Sequence, residues 1–172
     1  VFKNVDQDSW LKAYAAEIQH LGNLTDYAHP VTSVFFGGGT PSLVRPDILE
    51  GVLNEIASVW GLAQNAEISL EANPVGLDRP LLEDLKRAGI TRFSMGVQSL
   101  DDEALSFLGR THNAADAISA FALASLVASS NISSSSDCNI LNLSLICFCF
   151  CFCFSFFFAK FAAASSAAFF AA

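Results

Sequence analysis

The sequence predicts a parallel α/β fold, and three observations carry the prediction. Apolar runs of strand length alternate with amphipathic stretches of helical period, in the order α-βαβαβα, over residues 1 to 126. Each strand run is followed by a helical stretch, the pattern of a parallel sheet with right-handed crossovers. Residues 127 to 172 have a different composition and continue neither period. Three strands do not close a barrel, which needs about eight, or six in an open variant. The front region is therefore either a small open sheet or a slice of a larger (βα) sheet, and the slice is the favoured expectation.

The first helix is expected to start at Asp8-Ser9, an N-cap pair. Leu11, Tyr14, Ala15, Ile18 and Leu21 recur at helical spacing until Gly22, the expected stop. His29-Pro30 leads into the strand Val31 to Phe36. Pro46 sits at the start of the second helix, whose apolar face is Ile48, Leu49, Val52, Leu53 and Ile56, with Gly61 at its end. Ile68, Leu70 and Ala72 alternate with Glu67, Ser69 and Glu71, the pattern of a half-buried strand closed by Asn73-Pro74. The third helix begins near Asp78, turns Leu81, Leu82, Leu85 and Ala88 inward, and stops at Gly89. Thr91 to Gln98 is the third strand; Asp101 to Glu103 place acids at the start of a short helix. An alanine-rich helix runs from Ala114 to about Leu126.

Charge divides the chain in the same place. Residues 1 to 126 hold 16 of the 17 acidic and 8 of the 9 basic residues, whereas residues 127 to 172 keep only Asp137 and Lys160. The acidic front argues against a nucleic-acid partner, because phosphate neutralisation needs a basic surface. The tail holds all five cysteines, four of them alternating with phenylalanine from Cys147 to Phe154. That run is too regular for a disulfide framework, and it lacks the C-x2-C spacing of a metal site. Two readings of the tail stay open. It is either a gene-model artefact, from a retained intron or frameshift, or a membrane anchor centred on the charge-free window Ile140 to Ala159.

In a parallel α/β sheet, ligands bind at the carboxyl ends of the strands. The triglycine Gly37-Gly38-Gly39 with Thr40 and Pro41, then Glu71, Gln98 and Arg110, fall there in chain order. Together they offer main-chain donors, a carboxylate, an amide and a guanidinium, a set suited to a zwitterionic or polyhydroxylated ligand. Each also has a plain reading. The glycines make a tight turn, Glu71 is a solvated charge, Gln98 ties a loop, and Arg110 pairs with Asp101 or Asp102. His112 reads as a loop histidine, and His20 and His29 as surface residues. No Lys-Ser/Thr pair follows the glycines, so the loop is not a P-loop.

The segments FFGGGTPSL, ISLEANP, LEDLKRAGITRFSMGVQSLDDEAL and LGRTHNAADAISAF resemble, in combination, the radical S-adenosylmethionine proteins related to oxygen-independent coproporphyrinogen III oxidase. Gln98-Ser99-Leu100 followed by Leu108 to His112 is more similar to the heme-chaperone (HemW-like) branch. The resemblance implies a partial (βα) barrel over residues 1 to 126 that binds S-adenosylmethionine and, in full-length members, a [4Fe–4S] cluster. It implies cofactor contacts from Gly38, Gly39, Thr40, Glu71, Gln98 and Arg110, with heme or porphyrin as a further ligand and heme-accepting proteins as partners. It implies a cytoplasmic, mitochondrial or plastid location, or a membrane one if the tail is an anchor. The family's C-x3-C-x2-C loop has no counterpart here, and NISSSSDCNILNL stands where the family continues with an acidic strand and a Gly-Leu-Pro turn. No residue is therefore assigned a catalytic or metal-ligating role, and the polypeptide is expected to be non-catalytic. A non-catalytic heme- or cofactor-binding module on a membrane anchor and a generic α/β ligand-binding domain are the alternatives.

Overall fold

A computed structural model of the chain describes residues 5–25, 29–129 and 144–145. The expectations attached to the tail, including its cysteines, Asp137 and most of the 140–159 window, lie outside these residues. No helix among the described residues is long and apolar enough to cross a membrane.

Helix α1 (Gln7–Leu24) opens the fold, followed by strand β1 (Val31–Phe36), a 3-10 turn at Pro41–Leu43 and helix α2 (Pro46–Trp60). Then come β2 (Leu62–Ala72), α3 (Arg79–Arg87), β3 (Arg92–Met95), α4 (Asp102–Phe107), α5 (Ala114–Ser129) and a two-residue strand β4 (Ser144–Leu145). The strands form one sheet in the order β1-β2-β3-β4, every pair parallel. The α/β class and the run of three main parallel strands are as the periodicity predicts.

Both boundaries of α1 differ from expectation. The side chain that caps α1 is Asp6, which accepts from the Ser9 backbone N–H at 3.1 Å. Gly22 does not stop the helix; it lies inside α1, and a Cβ there would stand 2.2 Å from Val59 Cγ1 on α2. The glycine is required by the close approach of two helices, a constraint invisible along one of them. Elsewhere the punctuation works as read. Gly61 ends α2 with φ 74°, and Asp78 caps α3 through the Leu81 N–H.

The sheet has two unlike faces. Val34, Phe36, Ile68, Leu70, Ala72, Phe93 and Met95 point one way into a cluster with Leu49, Val52, Leu53 and Ile56 of α2, Leu82 and Leu85 of α3, and Ala117, Ala120 and Ala124 of α5. Ser69, Glu71, Arg92 and Ser94 point the other way, in the paired rows Ser69↔Arg92 and Glu71↔Ser94. Ser69 is nevertheless buried, so β2 is not the half-buried strand that simple alternation predicts. It is the middle strand of its neighbours, and Ser69 is enclosed by Glu67 and Arg92, whose side chains lie within 3.1 and 3.3 Å of its hydroxyl.

The crossover α5 is held to α3 at its far end. Lys86 Nζ donates to the carbonyls of Val127 and Ala128 at 2.8 and 3.3 Å, a cation placed where the last carbonyls of a helix lack partners.

A cleft at the carboxyl ends of the strands

Residues at the ends of β1, β2 and β3 surround a cleft of about 230 Å³, lined by Gly39, Thr40, Pro41, Glu71, Ala72, Asn73, Ser94, Met95, Gly96, Gln98 and Arg110. Five of the six predicted site residues are therefore brought together. The sixth, Gly38, stands behind the wall and organises it: its backbone N–H donates to Glu71 Oε2 at 2.9 Å. That bond spans from the loop after β1 to the end of β2. It takes up one of the main-chain donors that a bare triglycine would offer to a ligand. Gly38 and Gly39 have φ of 87° and 59°, the left-handed region that glycine enters at no steric cost. A Cβ on Gly39 would meet nothing within 4 Å, so the loop is open on that side.

Gln98 does not end a strand. β3 stops at Met95, and Gln98 sits three residues beyond with φ 69°, the one described non-glycine residue at positive φ. Two tight turns, Val97 N–H to Met95 C=O at 3.0 Å and Ser99 N–H to Val97 C=O at 2.9 Å, hold it there. A side chain in this region costs on the order of 1–3 kcal/mol and persists only when its surroundings over-determine it. One of those surroundings is His112, which is buried and donates from Nε2 to the Val97 carbonyl at 2.9 Å. His112 thus supports the turn that aims Gln98.

Arg110 does not pair with Asp101 or Asp102. Those acids are used locally: Asp101 caps α4 through the Ala104 N–H at 3.0 Å, and Asp102 accepts from the Ala114 N–H at 2.8 Å. Arg110 instead donates from Nη2 to Asn73 Oδ1 and to the Gly96 carbonyl, both at 3.0 Å. Its Nε is buried with no hydrogen-bond partner. Asn73, read from the sequence only as the end of a strand, also donates from Nδ2 to Thr40 Oγ1 at 3.3 Å. The signal available for it is the Asn-Pro pair itself, since proline holds the preceding residue in extended backbone at the strand end.

A larger hollow of about 350 Å³ lies between Pro74–Leu77 and α5. Its one charged lining residue, Asp116, is committed to the Asn113 N–H at 3.0 Å, so it lacks the convergent polar groups of the first cleft. Among the described residues no group of three His, Cys, Asp or Glu side chains could hold a metal ion.

The Radical SAM superfamily profile matches residues 10–134. The chain is 42% identical over 120 residues to "Radical S-adenosyl methionine domain-containing protein 1, mitochondrial" of Bos taurus, covering 70% of this chain and 27% of that protein. It is 41% identical over 114 residues to heme chaperone HemW of Escherichia coli, covering 63% and 30%. Among solved structures it is similar to coproporphyrinogen III oxidase (HemN) of Escherichia coli, a radical SAM enzyme, with a TM-score of 0.60 and 26% identity over 69% of this chain and 27% of that one. The chain thus spans about a quarter of the length of these relatives. By motif, profile and fold alike, the chain belongs to the Radical SAM superfamily.

Proposed function

We propose that the cleft binds S-adenosylmethionine by its methionine end, and that the chain is the cofactor-binding part of a heme-handling radical SAM protein. The observation that carries this reading is Arg110: a guanidinium at the cleft wall, held on one nitrogen, whose buried Nε has no acceptor. A ligand carboxylate supplies one through a charge-assisted bond. Glu71 faces the same space and suits an ammonium with the carboxylate oxygen that Gly38 leaves unused. Gly39 and Thr40 present main chain and hydroxyl to the same end, Gly38 acts through Glu71, and the Gln98 amide suits a ribose hydroxyl. At about 230 Å³ the cleft is smaller than the roughly 300–1,000 Å³ of sites that enclose whole small molecules, which favours the amino-acid end.

In a full-length member that holds a [4Fe–4S] cluster, the cluster would supply the electron that cleaves S-adenosylmethionine to methionine and a 5′-deoxyadenosyl radical. The described residues do not fit such a cluster: none is a cysteine, and no metal-holding group exists among them. What these residues do is bind and orient the cofactor. By the names of the relatives, heme is the proposed cargo and, for the vertebrate proteins, the mitochondrion the proposed compartment.

Calorimetric titration with S-adenosylmethionine tests the reading. Arg110→Ala and Glu71→Ala should each weaken binding by about tenfold or more, since a hydrogen bond to a charged group is worth roughly 1.5–3 kcal/mol. Unchanged affinity in both variants would overturn the assignment.

A further inference from the structure

The identity of residue 73 follows from what its neighbours can do. An arginine side chain has only donors, so the Asn73 atom facing Arg110 Nη2 at 3.0 Å must be the carbonyl oxygen. The amide nitrogen is then turned to Thr40, 3.3 Å away, and the Thr40 hydroxyl accepts. One small neutral side chain therefore joins three loops: its own after β2, the triglycine loop after β1, and the loop between α4 and α5. Both protein acceptors of Arg110, Asn73 Oδ1 and Gly96 O, fall on the same terminal nitrogen. The guanidinium is anchored without spending Nε, which stays buried and unpartnered.

We propose that Asn73 is a positioning residue for anion recognition in this cleft. It holds Arg110 by one nitrogen so that the rest of the guanidinium is kept for a ligand carboxylate, and it does so without adding negative charge. The choice of side chain is specific. Aspartate would hold Arg110 more tightly but cancel its charge and lose the donor to Thr40. Alanine would release Thr40 and leave Arg110 with the Gly96 carbonyl as its remaining acceptor. Pro74 restricts Asn73 to extended backbone, and the bonds to Arg110 and Thr40 orient its amide before any ligand arrives. The carboxylate as ligand rests on the S-adenosylmethionine reading; the anchoring of Arg110 does not.

The test compares two ligands that differ in the amino-acid end. S-adenosylhomocysteine carries the carboxylate, and 5′-methylthioadenosine lacks it. In Asn73→Ala, affinity for S-adenosylhomocysteine should fall about tenfold while that for 5′-methylthioadenosine stays within about twofold. Asn73→Asp should lose at least as much of the first, because an added carboxylate competes for Arg110. A parallel readout is hydrogen exchange of the Arg110 Nε–H by ¹⁵N NMR, expected to be faster in Asn73→Ala and not faster in Asn73→Asp. Equal loss of both ligands, or wild-type behaviour in both variants, would overturn the proposal. If the unsubstituted chain binds neither ligand, the S-adenosylmethionine reading fails, and unchanged exchange in Asn73→Ala would then sink the anchoring role separately. Asn73→Asp keeps the Arg110 bond and serves where Asn73→Ala fails to fold.

Discussion

The two faces of the sheet are made by the same strands from alternate residues, and they are held by different physics. On the helix side, Leu70 and Phe93 are neighbours in register, and each is almost completely buried. One residue along, Glu71 and Ser94 are also neighbours in register, and both line the cleft. The helix face is held by the removal of apolar area from water, which is non-directional and roughly proportional to that area. The cleft face is held by bonds with fixed geometry between Glu71 and Gly38, Arg92 and Glu67, and Asn73 and Arg110. A single register thus supplies a core set by shape and volume and a wall whose contacts depend on the chemical identity of each partner.

The sharpest way to break this comparison is to truncate one residue on each side. Phe93→Ala should cost about 3–5 kcal/mol by denaturant unfolding, enough to threaten the fold, because the cavity is closed on all sides. On the opposite face, Glu67→Ala removes an ion pair with Arg92 at 3.1 Å, in which the Glu67 side chain is half exposed. Its cost should be about 1 kcal/mol or less, since water re-solvates the arginine. A Glu67→Ala loss as large as that of Phe93→Ala would show that the polar face also carries the fold.

Acid gives the smallest effect and touches neither face. Hydrogen bonds from the Ser9 hydroxyl and backbone N–H hold the Asp6 carboxyl below its ordinary value, and the Arg45 guanidinium does the same for Asp47. A depressed folded-state value means a stabilising contribution that is complete above the unfolded pKa, about 3.9, and lost as pH falls through the folded one. The thermal midpoint of Asp6→Ala should therefore lie slightly below wild type at neutral pH and converge with it below about pH 4. A gap that persists into acid would mean that Asp6 acts through packing instead of its charge.

Much of the fold was legible because each helix buries a stripe that is periodic in sequence. The five apolar residues read on α2 are all buried, and Asp78, Gly61 and Gly89 stand where the caps were expected. What was not legible depended on a second element. Gly22 reads as a stop because glycine is a poor helix residue, yet its reason is Val59, on another helix. The first half of β2, with Gln64 and Asn65 exposed, shows no clean alternation and was missed. Its pairing with β1 slips between Val31 and Ser33, where the register is irregular. Gln98 was read into β3 because nothing local signals a positive φ at glutamine; the turn is imposed partly by His112.

For the cleft, parallel crossovers return every strand end to the same edge, which brings Gly39, Thr40 and Glu71 together; Gln98 and Arg110 reach the same cleft from the loops beyond β3 and α4. The sequence by itself determined the parallel α/β class, the helix-facing residues and this set. The tertiary structure alone decided which partners those residues take. Asn73 and Arg110 are 37 residues apart, and Gly38 and Glu71 are 33. Hydrogen bonds act over about 3 Å and in one direction, so their pairing depends on where distant loops are brought by the fold. Burial follows a period that one chain carries within itself; recognition follows distances that only the folded chain possesses.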